Sequence, residues 1–172
     1  MLEQAVQADK GLWRAWNAIG REYDMRRNWE RAEQAYGVAL AAPDAKIAVV
    51  LNNRGYSRLL QGRLDEASAD LVRALESDPS LRLARTNLRL TLAARGDYSR
   101  AAAGGIGDDR AAILNNIGLS AALRGDYGQA ETLLNQAMAA RGEYYARASQ
   151  NLELSRGLKA RDAGKGEADA PR

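Results

Sequence analysis

The sequence has no cysteine, no histidine and no phenylalanine, and only three prolines in 172 residues. Without cysteine or histidine the chain cannot form a disulfide, a thiolate nucleophile, a Ser-His-Asp triad or an ordinary zinc site. Any catalysis would depend on paired carboxylates or on a metal ion held by oxygen ligands. The composition therefore favours a protein that binds other molecules over an enzyme, and it predicts no catalytic residue, no cofactor and no metal.

Long hydrophobic runs are also absent. No uninterrupted apolar run exceeds five residues, as in residues 47–51, whereas a membrane-spanning helix needs about 20. The first residues lack the basic and apolar regions of a signal peptide, so we expect that any export signal or lipid-bearing cysteine has been removed or never existed. The formal net charge is only +3, and acidic residues are interleaved with the arginines, so the charge does not require nucleic-acid binding.

The sequence contains an internal repeat of about 34 residues. Within each unit, apolar residues recur at helical spacing on both sides of a glycine-containing turn. Pro43 and Pro79 follow the second helix of their units, as proline does beyond a helix end. The pattern predicts an all-α fold of antiparallel helix pairs, in which small residues let the two helices approach closely. The recurring small residues are Gly20, Gly55 and Gly118; Ala32, Ala67, Ala101 and Ala130; and, in the turns, Gly62, Gly96 and Gly125.

This repeat resembles the tetratricopeptide repeat (TPR), whose pattern is W-x2-L-G-x2-Y, then A-x3-F, then P within 34 residues. The resemblance implies a right-handed superhelix of helix pairs, that is, an α-α solenoid whose first helices line a concave groove. The first unit carries the pattern most fully, with Trp16, Ile19, Gly20, Tyr23, Ala32, Tyr36, Ala39 and Pro43.

The third unit departs from the TPR pattern. Arg85 and Arg89 stand where a large apolar residue and a glycine are expected, and the unit is five residues shorter than the 34-residue repeat. A shortened second helix would leave room for arginine. We therefore expect both arginines to reach solvent, or acidic side chains across the gap.

The repeat frame divides the chain into successive segments. The sequence begins in the register of a second helix and ends on a first-helix pattern without a partner, which favours a fragment of a longer protein closed by a capping helix. Its last residues have no apolar anchor and are expected to be disordered. The predicted segments are the tail of a preceding helix at 1–9, repeats at 10–44, 45–80, 81–107 and 108–142, a capping helix at 143–162 and a disordered tail at 163–172.

The resemblance also implies which residues face the groove, since TPR proteins line it with positions 2, 5, 6, 9, 12 and 13 of each unit. Here positions 5 and 6 are mostly amides, while positions 9 and 13 are mostly aliphatic. Such a surface suits a partner peptide or helix, because amides pair with a peptide backbone and Leu or Tyr contacts apolar side chains. Alternatively, the asparagines bond to the preceding loop and the leucines belong to the core. The predicted groove residues are Asn17, Arg21, Asn52, Asn53, Tyr56, Leu60, Asn87, Leu90, Asn115, Asn116, Leu119, Leu123, Asn151 and Leu154.

Within this family the sequence is similar to the TPR proteins of tight adherence (Flp) pilus assembly in Gram-negative bacteria. Residues 52–56, 115–118 and 144–152, together with the shortened third unit, carry the similarity. It implies an outer-membrane lipoprotein facing the periplasm, with a protein partner from the pilus or secretion machinery. The alternative is a cytoplasmic module that regulates an enzyme or binds RNA through the arginine-rich first unit. Exposed terminal helices would also allow two copies to stack as a homodimer.

Overall fold

The computed structural model describes residues 12–104, 107–141 and 145–168, so the predicted helix tail at 1–9 lies outside the described residues. Within those ranges the chain forms α-helices and no strand. The helices are α1 Trp13–Met25, α2 Trp29–Ala41, α3 Ile47–Leu60, α4 Leu64–Ser77, α5 Arg82–Ala94, α6 Tyr98–Ala101, α7 Gly107–Arg124, α8 Tyr127–Arg141 and α9 Ala146–Ala168. We call α1, α3, α5, α7 and α9 the first helices, and α2, α4, α6 and α8 the second helices.

The chain divides into two compact units, Met1–Thr91 and Leu92–Arg172. In the first unit α1 packs on α2, α3 packs on α4, and α3 also contacts α1 and α2. In the second unit α7 packs on α8, and α9 packs on both. Because the turns within the pairs are only two or three residues long, the paired helices must run antiparallel. The predicted all-α class of neighbouring helix pairs is confirmed, and it is compatible with a TPR-type fold.

Small residues bring the paired helices together. Three glycines of the first helices each face a large side chain of the second helix 16 residues later, and an added Cβ atom would lie only 2.7 to 2.8 Å from that side chain. No real Cβ atom packs so closely, so the helix pair needs glycine there. The facing pairs are Gly20 with Tyr36, Gly55 with Leu71 and Gly118 with Leu134. The recurring alanines are fully buried at Ala32, Ala67, Ala101 and Ala130.

The turns within the pairs share one backbone conformation. Gly62, Gly96 and Gly125 have φ of 75°, 83° and 89°, the left-handed region that glycine adopts without strain. The amide of the next residue donates to a carbonyl oxygen five residues earlier, as in Asp97 N to Leu92 O at 2.9 Å, which closes the helix end. In the first repeat, residues 10–44, Arg27 occupies this place with φ of 55°. The first repeat therefore forms the same turn with an arginine, whose Cβ atom makes this left-handed backbone conformation strained.

The third repeat, residues 81–107, has a second helix of only four residues, α6. Arg85 is exposed on α5, and its Nη2 atom donates to the carbonyl oxygen of Pro79 over 2.5 Å. Arg89 is half-buried. The expectation that the arginine reaches solvent is confirmed for Arg85.

The last helix is longer than the sequence pattern indicated. α9 continues to Ala168, six residues past the predicted end of the capping helix. The sequence predicted a disordered tail from residue 163, whereas the structure describes residues 163–168 as part of α9; residues 169–172 lie outside the described part. Near this point the Tyr127 hydroxyl donates to the Asp162 carboxylate and ties α9 to the start of α8. No helix in the described ranges combines the length and apolarity needed to cross a membrane.

Candidate functional site

The predicted groove asparagines of the first unit form a directional chain of hydrogen bonds. Asn87 Nδ2 on α5 donates to Asn52 Oδ1 on α3 over 2.9 Å. Asn52 Nδ2 donates to its neighbour Asn53 Oδ1 over 3.1 Å. Asn53 Nδ2 then donates to Asn17 Oδ1 on α1 over 2.9 Å. The amides thus connect three successive first helices, and each bond fixes the register of one helix against the next.

The second unit repeats this arrangement. Asn151 Nδ2 on α9 donates to Asn115 Oδ1 on α7 over 2.8 Å, and Asn115 Nδ2 donates to Asn116 Oδ1 over 3.3 Å. In both units the position 6 amide of one repeat bonds to the position 5 amide of the previous repeat. These hydrogen bonds join neighbouring first helices. The alternative given above was that the asparagines bond to the preceding loop.

Burial separates the asparagines into two groups. Asn17, Asn52 and Asn115 are buried, with 9%, 5% and 1% of their surface exposed. A buried amide that lost its partners would be costly, so these three hold the helices together. The remaining groove asparagines keep part of their surface available to a partner, and they are Asn53, Asn87 and Asn151, which are half-buried, and Asn116, which is exposed.

Large apolar side chains are exposed beside these amides. Tyr56 and Leu60 on α3 keep 43% and 52% of their surface exposed, and Leu123 on α7 keeps 69%. Leu154 on α9 is 46% exposed. The alternative that the leucines belong to the core does not describe these side chains. Of the other predicted groove residues, Leu90 and Leu119 are half-buried and Arg21 is exposed.

Two further exposed side chains were missed by the sequence reasoning. Met25 is 76% exposed at position 13 of the first unit, and Leu83 is 65% exposed at position 2 of the third. Carrying positions 2 and 13 through every unit would have found both. Six of the eight exposed large apolar side chains in the described ranges then lie at groove positions, and the other two are Leu12 and Val72. In the first compact unit four of these side chains lie on α1, α3 and α5, and in the second compact unit two lie on α7 and α9. Exposed apolar side chains that form a contiguous patch mark binding surfaces.

One cluster of charged side chains in the first compact unit is paired within the fold. Asp70 is only 3% exposed, and it accepts two hydrogen bonds of 2.8 Å from Arg54 and one of 2.9 Å from Arg58. Burial tends to lower the pKa of Arg54, but the hydrogen bonds and charge of Asp70 outweigh it and raise that pKa. Three arginines are balanced by three acids in this cluster, which joins α2, α3 and α4. Its members are Arg54, Arg58, Arg63, Glu33, Glu66 and Asp70.

A second polar contact joins the first three helices. Asp24 on α1 accepts hydrogen bonds from Tyr36 Oη over 2.7 Å and from Ser57 Oγ over 2.6 Å. Burial raises the pKa of Asp24, and burial together with the hydrogen bond to Asp24 raises the pKa of Tyr36. Each oxygen of the carboxylate accepts a bond from a hydroxyl on a different helix, so Asp24 holds α1, α2 and α3 together.

No group of three or more acidic side chains within the described ranges is arranged to hold a metal ion. No protein-family model matches the chain, and no curated protein matches it either. The function must therefore be argued from the exposed faces of the first helices.

Proposed function

We propose that this protein is a non-enzymatic binding module of the TPR type, which holds a peptide or helix of a protein partner against its first helices. One observation supports the proposal above the others. Large apolar side chains are exposed at the same position of three repeat units, where Met25, Leu60 and Leu123 keep 76%, 52% and 69% of their surface in contact with solvent. A single exposed apolar side chain is ordinary in a folded protein, whereas an exposed apolar side chain that recurs at one repeat position is a regular surface feature that a partner can contact.

The energetics favour a partner that contacts more than one helix. Complete burial of a fully exposed Leu or Met is worth about 1.5–3 kcal/mol, so a half-exposed side chain supplies about half of that. Association and the ordering of side chains cost several kcal/mol. One leucine cannot offset this cost, whereas Met25, Tyr56 and Leu60 on the neighbouring helices α1 and α3 can act together.

A charge placed on the first helices tests the proposal. Leu60→Asp and Leu123→Asp each put a carboxylate where a partner would bury an apolar side chain. Val72→Asp is the matched control, because Val72 is 40% exposed on the second helix α4. Peptides selected on the wild-type protein from a displayed random library should lose affinity for at least one of the first-helix variants and keep it for Val72→Asp. Equal binding to all three variants would contradict the proposal.

The setting in pilus assembly is a narrower proposal that rests on the sequence similarity alone. We infer a partner from the Flp pilus or secretion machinery, with the full-length protein at the outer membrane. Crosslinking in the native host followed by purification of the protein tests this inference. We expect the wild-type protein to recover envelope components. This recovery should be lost in Leu60→Asp or Leu123→Asp and kept in Val72→Asp. Recovery of RNA or cytosolic enzymes alone would instead favour the cytoplasmic alternative.

A further inference from the structure

Two arginines lie on the groove face of α1. Arg14 and Arg21 are both exposed, and a separation of seven residues places them two helical turns, or about 10 Å, apart on one side of the helix. Ala18 is exposed between them, four residues after Arg14 and three before Arg21. Because alanine is small, no large side chain stands between these two positions on the helix surface.

Neither arginine is neutralised by a salt bridge within the described part of the fold, although the charge of Arg21 acts on nearby Tyr36. No salt bridge joins Arg14 or Arg21 to an acid of the described ranges, whereas the nearby Arg26 pairs with Glu22 over 2.7 Å. The Arg14 guanidinium lies 4.8 Å from the centre of the Trp13 ring, a cation–π contact that holds the side chain without neutralising it. An acidic group of a partner can therefore pair with both arginines.

The hydrogen-bonded asparagines determine which part of α3 lies next to these two arginines. The bond from Asn53 to Asn17 places α3 in register with α1. Further along, Ser57 Oγ on α3 donates to the Asp24 carboxylate on α1 over 2.6 Å, and Tyr56 and Leu60 occupy the repeat positions that Arg21 and Met25 occupy in the preceding repeat. The face is thus basic along the first turns of α1 and apolar toward the ends of both helices.

We propose that this face binds an acidic amphipathic segment of a protein. We call it the basic-apolar patch and define it as Arg14, Ala18, Arg21, Met25, Tyr56 and Leu60. An Asp or Glu side chain of the segment pairs with Arg14 and Arg21, and a large apolar side chain next to it packs against Met25, Tyr56 and Leu60. This inference rests on the proposed function and adds the chemistry of the partner to it.

The side chains of the patch favour a protein over RNA. Single-stranded nucleic acid is bound by stacking successive bases on several aromatic rings beside basic residues. The patch has a single exposed ring, Tyr56, and its other large side chains are the aliphatic Met25 and Leu60. An acidic group next to an apolar one matches the order of charge and hydrophobicity on these helices.

Selection of peptides on the full chain, followed by charge reversal, tests the inference. Peptides enriched from a displayed random library should carry Asp or Glu beside Leu, Ile, Met or Phe. One enriched peptide and its lysine-substituted form are then titrated against wild type, Arg21→Glu and Arg73→Glu, with a uridine 20-mer as the nucleic-acid probe. Arg73→Glu is the matched control, because Arg73 is exposed on the second helix α4.

We expect Arg21→Glu to lower the affinity for the acidic peptide by about ten-fold at low salt. Arg73→Glu should change this affinity by less than about two-fold. The lysine-substituted peptide should bind Arg21→Glu more tightly than it binds the wild type. Equal effects of the two variants, enrichment of peptides without acids, or binding of the uridine probe alone would overturn the inference. Tyr56→Asp separates the two proposals. If it abolishes binding while Arg21→Glu does not, the proposed function stands and the acidic partner does not; if neither has an effect, both proposals fail.

Discussion

At the scale of single residues, the glycines of the first helices set how closely the helices pack. A Cβ atom at Gly55 would lie 2.8 Å from Leu71 Cγ and 3.3 Å from the carbonyl oxygen of Ala67. We expect Gly55→Ala to lower the free energy of unfolding by about 1–2 kcal/mol, net of the gain in helix propensity. Gly37→Ala, where nothing lies within 4 Å, should raise it by about 0.5–1 kcal/mol. Chemical denaturation measures both, and changes of the same sign would contradict this account of the packing.

Arg27 lowers the stability of the fold, because it adopts a left-handed backbone conformation that is unfavourable for a residue with a side chain. It has φ of 55° at the turn position where the later units have glycine. Arg27→Gly should raise the free energy of unfolding by about 1 kcal/mol, because relief of the left-handed strain exceeds the added entropy of the unfolded chain. Arg27→Ala keeps the strained backbone and removes only the side chain. Equal melting temperatures for the two variants would show that the backbone is not strained there.

At the scale of helices, the amide chain is the contact that repeats between first helices. Asn87 donates to Asn52 over 2.9 Å, and Asn52 is buried. A double-mutant cycle of Asn52→Ala and Asn87→Ala should give a coupling of about 0.5–2 kcal/mol in the free energy of unfolding. Gln150→Ala, at the position of Asn52 but exposed on α9, should cost less than about 0.5 kcal/mol. Additive effects of the two asparagine changes would mean that the bond contributes nothing.

The turns of neighbouring helix pairs are connected by a tyrosine. Burial and then the hydrogen bond to Asp126 raise the pKa of Tyr98 from 10.0 to about 12. Because the folded state holds this proton more tightly than the unfolded state, the contribution to stability is complete below about pH 10 and is lost as the pH rises through about 12. Tyr98→Phe should remove a step near pH 12 from the ultraviolet titration of tyrosinate. An unchanged titration would contradict the assignment.

The sequence predicted the elements better than their contacts. Gly55 and Gly118 indicated close helix pairs, and their tight approach to Leu71 and Leu134 confirms it. The pattern placed Asn52 on the groove face, but its partners depend on the distance between α3 and α5, which is a tertiary quantity that no local spacing contains. Residues 163–168 continue α9 without an apolar anchor, and they include Gly164 and Gly166, so local helix propensity does not explain this extension. Arg27 was missed because a search for glycine does not find a strained arginine.

At the scale of the whole molecule, the composition agrees with binding by surface contact. Alanine and glycine bring the helices together, and the large apolar side chains that packing does not use are exposed at recurring positions of the first helices. The second helices in the described ranges expose one large apolar side chain, Val72. This difference in exposure is the reason why we place the partner on the first helices.

Site-specific photocrosslinking in the native host shows which helices contact the partner. A benzoylphenylalanine replaces Leu60 on α3 or, as the control, Val72 on α4, at residues that are 52% and 40% exposed. We expect a discrete protein adduct from position 60 that Tyr56→Asp abolishes, and no such adduct from position 72. Equal adducts from both positions, adducts from position 72 alone, or crosslinks only to RNA would contradict this expectation.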